Sequence, residues 1–442
     1  MQPALTLPIA PWMRDPALLR VLAALNGTLD ALDALNAGKG AKQKALYALP
    51  SALIVGGAVR NYILNKPVYD IDIACVFAPE VSQALLVDAG IKVIPTGIQH
   101  GTITAVMKGR SFEITTLRRD VKTDGRHAEV AFTQSWREDA ERRDFTMNAL
   151  FMDVGFGDGE GRVYDPLGQG LVDAQAGIVR FVGNADQRIQ EDYLRILRFF
   201  RMWALYGHHH APDSEAVAAC AAHREGLGKL SRERVSTEIM KMIVAEGAPV
   251  ALQIMAENGI LTDYIAANFS PRALERLAML QTRFDVVDPV ARLIVMAARD
   301  YATVKTLTRK MILSRDEKKR LQKTFDILRH DFGVTAGELK RSMYFYGRDV
   351  VLQSVLIDLS SKPLESGGFE FDVAAAVRFI MQWPIPVFPI AGDDLKKLGY
   401  AEGPEIGEAL LDMQQRWIDS DFSLSKDSLI MWLKNGAVQP ES

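Results

Sequence analysis

The chain has 442 residues, of which 48% are apolar and 24% charged, and its formal net charge is −3. This length is too great for one hydrophobic core, so we expect two to four domains of an ordinary globular protein. Two cysteines, Cys75 and Cys220, exclude a disulfide scaffold and favour a reducing cytoplasm. We find no signal peptide and no apolar run of about 20 residues that would cross a bilayer, and the net charge is not that of a strongly basic nucleic-acid binder.

The first 50 residues are expected to form a helical extension and a linker. Residues 17–36 have apolar side chains at helical spacing, and residues 36–43 are rich in glycine and lysine. From residue 51 the pattern changes to short apolar or alternating runs that turn residues separate. The predicted strands are 53–57, 69–76, 91–96, 102–107 and 112–117, and the predicted helices between them are 58–64 and 79–90.

Helical patterns dominate after the turn-rich segment 164–177. The strongest predicted helices are 191–207 and 231–247, the second with Ser231 as its N-cap and Gly247 as its stop. The predicted fold class is therefore α+β, with an α/β head followed by an all-helical neck, body and tail. The predicted domains are the N-terminal extension (1–50), the head (51–160), the neck (161–250) and the body with its tail (251–442).

A glycine pair, Gly56-Gly57, stands between the first predicted strand of the head and the next helix. Glycines at such a position let backbone N–H groups approach a phosphate, and the helix N-terminus favours anions. Arg60 adds a permanent charge with a planar donor fork. Taken alone, this pattern is more often a plain turn.

Two aspartates, Asp70 and Asp72, follow Arg60 by ten and twelve residues. On a strand both carboxylates would point to one face, with Ile71 on the other. Two rigid oxygen ligands suit Mg²⁺, which binds a few carboxylates together with substrate phosphates. Glu113, on a later predicted strand, is a candidate third ligand or a group behind the first two. The alternative is an edge strand with two ordinary solvated aspartates.

A third motif, ERRDFTMNAL, begins at residue 141. On a helix Asp139 and Arg143 are four residues apart and can pair, which a surface ion pair would also explain. The order of the three motifs is more specific than any one of them. A glycine turn, an arginine, an Asp-x-Asp and an Arg-Arg-Asp-Phe-Thr run together indicate a phosphate cradle beside a two-metal site.

These stretches resemble the class II CCA-adding tRNA nucleotidyltransferases and bacterial poly(A) polymerases of the polymerase-beta superfamily. The matching segments are LIVGGAVRN, VYDIDIA, ERRDFTMNAL, YDPLGQGLVDAQAGIVRFVG, EDYLRILRFFR and SRERVSTE, in that order from residue 51 to about 245. The intervening segment is most like alphaproteobacterial members. One position departs from the family, which usually has aspartate after GGxVR where this chain has Asn61.

The resemblance implies a polymerase-beta-like nucleotidyltransferase head and a role for each matching residue. Gly56, Gly57 and Arg60 would hold the triphosphate, Asp70 and Asp72 would bind Mg²⁺, and Arg143 would contact the incoming nucleotide. Asp192 and Arg195 would read the base, and Arg198 and Arg201 would line the same site. Glu233, Arg234 and Glu238 would brace the neck, and the substrates would be CTP, ATP and the 3′ end of tRNA.

An Asp–Arg pair has the chemistry to select bases without a template. Cytosine and adenine each present an amine donor beside a ring-nitrogen acceptor, whereas uracil and guanine present the reverse. A carboxylate only accepts and a guanidinium only donates, so the pair complements C and A and opposes U and G. On one helix, residues 192 and 195 would be surface neighbours. The alternative is a helix-surface network of Glu191, Asp192, Arg195 and Arg198.

The sequence thus predicts template-independent addition of CMP and AMP to the 3′ end of tRNA by a cytoplasmic, magnesium-dependent enzyme. The body is expected to grip the acceptor stem by its shape and backbone. Poly(A) polymerase and partial CC-adding or A-adding enzymes share nearly all of these motifs and remain open. An RNA-binding protein with a head that has lost catalysis is the alternative from another class, and Asn61 is the feature in its favour.

Overall fold

The computed structural model describes residues 1–28, 50–124, 127–155, 159–329, 335–361 and 369–434. They form two compact units, residues 1–262 and 263–442, here called the first and the second unit. The predicted boundaries at residues 50, 160 and 250 stay a prediction. The predicted glycine- and lysine-rich linker lies outside the described residues.

The first unit is built on a mixed eight-stranded sheet with a separate hairpin. Its ten strands are β1 (Leu5–Pro8), β2 (Ala52–Val55), β3 (Asp72–Cys75), β4 (Lys92–Gly97), β5 (Thr102–Met107), β6 (Arg110–Thr116), β7 (Arg118–Asp124), β8 (His127–Phe132), β9 (Phe151–Asp153) and β10 (Glu160–Tyr164). The sheet order is β1-β10-β9-β2-β3-β6-β5-β4, and β7 pairs with β8. Only β3 and β6 run parallel among the paired strands that the structure describes.

Strands β2 to β6 of this sheet were expected from the sequence, whereas β9, β10 and β1 on its other side were not. All four residues of β2 are buried, as an apolar run between two neighbours requires, and β5 has the predicted bounds. The predicted strand 69–76 is wrong at its start, because pairing begins only at Asp72, opposite Val55, where β2 turns away. The predicted strands omit β1, β7, β8, β9 and β10. Four residue pairs join β1 to the distant β10, and three join β10 to its near neighbour β9.

Helices cover the first unit and extend it. They are α1 (Pro16–Asn26), α2 (Gly57–Ile63), α3 (Pro79–Asp88), α4 (Trp136–Glu141), α5 (Gly170–Ala176), α6 (Ala185–Glu191), α7 (Leu194–Met202), α8 (Ser214–Ala222), α9 (Arg232–Ile243) and α10 (Ala248–Glu257). No strand follows β10 in the part of the chain that the structure describes, as predicted.

Three predicted helices end differently from the prediction. The helix predicted over 17–36 ends at Asn26, where Gly27 adopts the left-handed conformation (φ 66°) that glycine tolerates. Ser231 occupies the N-cap of α9 without a side-chain capping bond, and Gly247 precedes α10 instead of ending α9. The helix predicted over 191–207 is broken at Asp192, whose backbone is extended (φ −155°, ψ 104°).

The second unit contains helices alone in its described part. They are α11 (Pro271–Arg283), α12 (Pro289–Met296), α13 (Tyr301–Lys310), α14 (Arg315–Arg329), α15 (Ala336–Tyr346), α16 (Arg348–Ser361), α17 (Phe369–Gln382), α18 (Gly392–Lys397), α19 (Pro404–Asp419) and α20 (Lys426–Lys434). Helix α16 is buried along nearly its whole length, and Trp417 of α19 lies in a separate apolar cluster. Within the described residues, no helix has the length and apolarity that a membrane crossing requires.

Candidate active site

The glycine turn joins the buried strand β2 to helix α2. Gly56 has φ 72° and ψ −120°, a conformation that side chains other than glycine's rarely adopt. A Cβ built on Gly56 would lie 3.8 Å from a guanidinium nitrogen of Arg143 and 3.6 Å from the carbonyl oxygen of Asn148. The turn therefore requires glycine, and the Arg143 side chain lies directly against it.

Arg60 lies inside the molecule and not on the surface of the turn. It is 8% exposed, and its guanidinium donates to Asn148 Oδ1 at 2.5 Å, to Asn61 Oδ1 at 2.8 Å and to the Tyr206 hydroxyl at 2.8 Å. Burial lowers the pKa of Arg60, and the nearby Tyr206 opposes that shift. A direct contact of Arg60 with a triphosphate stays a prediction.

The two aspartates flank a buried isoleucine, as the alternation predicts. Ile71 is 5% exposed, whereas Asp70 and Asp72 are both exposed. Asp72 lies opposite Glu113 on the parallel neighbour β6. Desolvation at the sheet raises the pKa of Asp72, the charges of Glu113 and Asp70 raise it further, and Arg143 lowers it. The charges of Asp70, Glu113 and Arg143 are thus all close enough to Asp72 to influence its pKa.

This donor set fits a divalent cation that keeps open coordination positions. In the described residues, no three His, Cys, Asp or Glu side chains are gathered into a ready-made metal cluster. Mg²⁺ does not require such a cage, because it is usually held by one or two carboxylates plus water and substrate phosphates. Asp70 and Asp72 suit that arrangement, and Glu113 as a third ligand stays a prediction.

Asp139 holds the two arginines of the third motif side by side. Its carboxylate is 1% exposed and lies 2.7 Å from both the Arg142 and the Arg143 guanidinium, so the predicted pairing of Asp139 with Arg143 is confirmed. Burial alone would raise the pKa of Asp139, but the two guanidinium groups outweigh it, so this pKa is lowered. Burial, with the positive charges of Arg118 and Arg143, lowers the pKa of Arg142 to about 10.

The segment after these arginines connects the head to α7. Asp144 is fully enclosed and accepts two hydrogen bonds from Arg198, at 2.5 and 2.7 Å, and one from Asn148 at 3.0 Å. Despite its burial, these donors lower the pKa of Asp144. Arg201, one turn further along α7, pairs with Glu238 of α9 at 2.6 Å. Arg198 and Arg201 are therefore held by carboxylates, and Glu238 is the brace that the resemblance implied.

Asp192 and Arg195 do not share one continuous helix, which corrects the geometric premise of the base-reading prediction. Aspartate competes with the backbone for hydrogen bonds, and here Asp192 Oδ1 accepts from Leu194 N at 3.1 Å while its carbonyl accepts from Arg195 N. Asp192 thus caps the start of α7. Its other oxygen pairs with Arg234 of α9 at 2.7 Å.

Arg195 is fixed by partners other than Asp192. Its guanidinium lies 2.6 Å from Glu191 and donates to the carbonyls of Arg188, at 2.8 Å, and Arg142, at 3.1 Å. The pair with Glu191 belongs to the network that the alternative interpretation foresaw. The bond to Arg142 also connects Arg195 to the neighbour of Arg143, so α7 and the segment with the paired arginines meet. Base reading by these residues stays a prediction.

Two residues of this network escaped sequence reasoning as site residues. Asn148 was visible within the third motif, where its amide serves both Arg60 and Asp144. Tyr206 gave no signal, because residues 203–207 continue α7 as a π-helical segment, in which side chains point in other directions than in an α-helix. Such a segment has no sequence signature that we recognise.

Two family models match the chain. The poly A polymerase head domain matches residues 52–180, and the probable RNA and SrmB-binding site of polymerase A matches residues 211–265. The first match begins at β2 and includes the glycine turn, the two aspartates and the paired arginines. The second includes α9, which carries Arg234 and Glu238.

Curated proteins and solved structures resemble the chain over most of its length. It is 36% identical over 386 residues to "CCA tRNA nucleotidyltransferase 1, mitochondrial" of Danio rerio, with 86% of each chain covered. It is 31% identical over 376 residues to "CCA-adding enzyme" of Streptococcus sanguinis (strain SK36), with 83% of this chain and 89% of the relative covered. The Bacillus stearothermophilus CCA-adding enzyme in complex with CTP matches with a TM-score of 0.72 and 24% identity, covering 95% of this chain and 98% of the other. At that identity the match shows a common fold.

Proposed function

Because this chain belongs to the family of CCA-adding tRNA nucleotidyltransferases and poly(A) polymerases, we propose that it adds CMP and AMP to the 3′ end of tRNA without a template. The substrates are CTP, ATP and tRNA, and each addition releases pyrophosphate. The relatives that match over most of the chain carry this activity in their names. The cytoplasmic location is part of the proposal.

One observation carries the proposal, the position of Arg143. Its guanidinium lies against the glycine turn, and its charge acts on Asp72. A triphosphate that contacts the backbone of this turn would therefore also lie beside the carboxylates. This convergence supports one site for phosphate and metal, and it argues against a head that has lost catalysis.

The residues divide the work of the transfer. Gly56 and Gly57 leave room for the phosphates at the start of α2, where unpaired backbone N–H groups favour anions. Arg143, held by Asp139, neutralises charge that develops on the phosphates. Magnesium bound by Asp70 and Asp72 would lower the pKa of the RNA 3′-hydroxyl and stabilise the leaving pyrophosphate. Fixed groups are effective here because they need no reorganisation during the reaction.

Base selection is assigned to Asp192 and Arg195. Both are held by partners that leave each side chain one orientation, Arg234 for Asp192 and Glu191 for Arg195. A base edge that offers an amine donor and a ring-nitrogen acceptor satisfies both groups. The reversed edge of U or G sets donor against donor and acceptor against acceptor, so the hydrogen bonds to the base are lost, at about 1.5–3 kcal/mol for each bond to a charged group.

RNA binding is assigned to the neck and to the second unit. Arg315, Lys318 and Lys319 are exposed at helical spacing on α14, and the opposite face of this helix is buried. We call these three residues the α14 stripe. Because the net charge of the chain is −3, RNA phosphates are attracted by local groups of cations such as this one and not by the chain as a whole.

The decisive experiment uses tRNA that lacks its CCA end and each nucleoside triphosphate separately. We expect two additions with CTP alone, a third when ATP is also present, and no extension with UTP or GTP. A long adenosine tail on unrelated RNA would identify a poly(A) polymerase, and additions that stop at CC or require a CC end would identify a partial enzyme. No extension of any RNA in the presence of magnesium would overturn the proposal.

A further inference from the structure

Tyr206 lies where the base-reading helix leaves its regular path. After Met202 the backbone continues as the π-helical segment 203–207, a rare irregularity that is often found at functional sites. The segment is tightly anchored. Gly247 N donates to Ala204 O at 3.0 Å, and a Cβ on Gly177 would lie 2.7 Å from the carbonyl oxygen of Tyr206. The position of the Tyr206 side chain is therefore fixed by its own backbone.

The Tyr206 side chain contacts two cations from the segment that follows the glycine turn. The Arg60 guanidinium carbon lies 4.2 Å from the centre of the Tyr206 ring, and the Lys66 ammonium lies 5.0 Å from it. Lys66 also donates to Leu205 O at 3.0 Å. Cation–π contacts of this kind are strongest where water is excluded, and Arg60 is buried.

The Tyr206 hydroxyl connects Arg60 to Asn61. It accepts from Arg60 at 2.8 Å and donates to Asn61 Oδ1 at 2.9 Å, and that same oxygen accepts from Arg60 at 2.8 Å. The three side chains form a closed ring of hydrogen bonds. We call Arg60, Asn61 and Tyr206 the latch.

Asparagine at position 61 has a second connection that aspartate could not make. Its side-chain Nδ2 donates to Pro67 O at 2.9 Å, which requires an amide. Its backbone carbonyl, which any residue would provide, accepts from Lys66 N at 2.8 Å. Pro67 lies three residues before Asp70, in the loop that delivers the carboxylates. Through Asn61 the latch therefore touches the glycine-turn helix, the carboxylate loop and the end of the base-reading helix.

A longer path leads from the latch to the middle of α7. Arg60 donates to Asn148, Asn148 donates to Asp144, and Asp144 is held by Arg198. The helix is thus tied to the glycine-turn segment at two points, Arg198 and Tyr206. Two ties on one helix fix its rotation as well as its distance, and rotation decides where Arg195 points.

We propose that Tyr206 and Asn61 are specificity-determining positioning residues, which hold the base-reading helix in register with the triphosphate cradle. The inference rests on the proposed function and deepens it. Neither residue touches the base in this account. Their loss would let α7 shift relative to the glycine turn, so a wrong base would be rejected less well although the metal and phosphate groups are intact.

The test compares two tyrosines on either side of the latch. Tyr206→Phe removes the hydroxyl that joins Arg60 to Asn61 and keeps the ring. Tyr62→Phe is the matched control, because Tyr62 stands on α2 beside Asn61 but its hydroxyl donates to Pro8 O, outside the latch. For each variant, kcat and KM are measured with CTP, ATP, UTP and GTP on tRNA that lacks CCA, together with the thermal melting temperature.

We expect Tyr206→Phe to lower the ratio of kcat/KM for CTP to that for UTP by about five- to tenfold, the equivalent of one or two hydrogen bonds. The change should lie mainly in kcat for CTP, and Tyr62→Phe should keep the wild-type ratio. An unchanged ratio in Tyr206→Phe, or equal losses in both variants, would overturn the latch. A wild-type protein that extends no tRNA would instead refute the proposed function, so the two failures are distinguishable.

Asn61 provides an independent pair of variants, should the tyrosine variant be unstable. Asn61→Asp keeps the acceptor oxygen for Arg60 and Tyr206, and Asn61→Leu removes it. We expect Asn61→Leu to lose selectivity as Tyr206→Phe does, and Asn61→Asp, which keeps the ring of hydrogen bonds and loses only the bond to Pro67, to lose less. Equal selectivity in both Asn61 variants would contradict the proposal whatever their melting temperatures.

Discussion

The two units of the molecule differ in the exposure of the charged groups to which we assign a function. In the first unit the carboxylates of Asp139, Asp144 and Glu238 are buried and each holds an arginine in one place. In the second unit the cations of the α14 stripe, among them Lys318 and Lys319, are exposed. Groups that stabilise a transition state must be fixed before the reaction, whereas groups that hold an RNA backbone need only be accessible and positive. This difference supports our proposal that nucleotide transfer depends on the buried ion pairs of the first unit and RNA binding on the exposed cations of the second.

The second unit also has buried polar groups, but they serve its packing. Arg292 of α12 donates to Gln281 of α11 at 2.8 Å, and Gln281 donates to Gln353 of α16 at 2.8 Å. All three side chains are buried. These side chains connect three helices through the neutral amides of Gln281 and Gln353, so this cluster is structural. The comparison between the units therefore concerns the ion pairs of the first unit.

The largest effect is expected from removing Asp72, an exposed carboxylate of the first unit that we propose as a metal ligand. Asp72→Ala should abolish nucleotide transfer, because a metal site contributes several kcal/mol of transition-state stabilisation, a loss of roughly 10³-fold or more. Asp88→Ala on α3, also exposed, is the control and should keep full activity. Single-turnover transfer and thermal melting are the measurements. Transfer at the wild-type rate by a folded Asp72→Ala protein would refute the metal role.

Next in size is the effect of Asp139, whose loss should cost stability as well as activity. Asp139→Ala leaves Arg142 and Arg143 beside each other without their shared carboxylate, and breaking a buried ion pair in this way costs about 3–5 kcal/mol. The control is Glu141→Ala on the same helix, because Glu141 pairs with Arg137 where the two side chains are 50% and 72% exposed. That pair should contribute less than about 1 kcal/mol. Urea unfolding measures both, and equal losses would contradict the contrast between buried and exposed charge.

The pH dependence of stability gives Asp139 a signature of its own. Because the folded pKa of Asp139 is lowered, its stabilising effect is fully present above its unfolded pKa of about 3.9 and is lost as the pH falls through the folded value. The difference in unfolding free energy between wild type and Asp139→Asn should therefore be constant from pH 7 to about pH 5 and shrink at lower pH. A difference that grows on acidification would show that Asp139 is not ionised in the folded state.

Selectivity should respond to Arg195 by a smaller factor than activity responds to Asp72. Arg195→Ala removes the donor that we propose for the base and also the bonds to Glu191 and the Arg142 carbonyl. We expect the preference for CTP over UTP to fall roughly tenfold or more, the equivalent of about 1.5–3 kcal/mol for one hydrogen bond to a charged group. Competition assays with mixed triphosphates measure this ratio. Unchanged discrimination would remove Arg195 from base reading and favour the purely structural network.

The sequence foretold the parts of the first unit that depend on local pattern. Strand β2, the glycine turn and the alternation around Ile71 follow from hydrophobic spacing and from the backbone freedom of glycine. Strand β1 was missed because its partner β10 is distant in sequence, and β7 to β10 were also missed, although β7 pairs with β8 and β9 with β10 locally. The break at Asp192 was also missed, because its helical neighbours gave a stronger signal than one capping aspartate. The role of Tyr206 became visible only in the structure, because its partner Arg60 is 146 residues away in the sequence.

The smallest expected effect belongs to the exposed side of the comparison. Replacing Lys318 and Lys319 by alanine should weaken tRNA binding and lower the slope of log affinity against log salt by up to about 1.8, since each phosphate contact contributes roughly 0.7–0.9. The rate at saturating tRNA should not change, because neither lysine belongs to the first unit. Lys396→Ala is the control, since Lys396 is already paired with Glu402 on the surface. An unaltered salt slope in the double variant would show that RNA phosphates are bound elsewhere. A lower rate at saturating tRNA would show that nucleotide transfer and RNA binding are not separated between the two units.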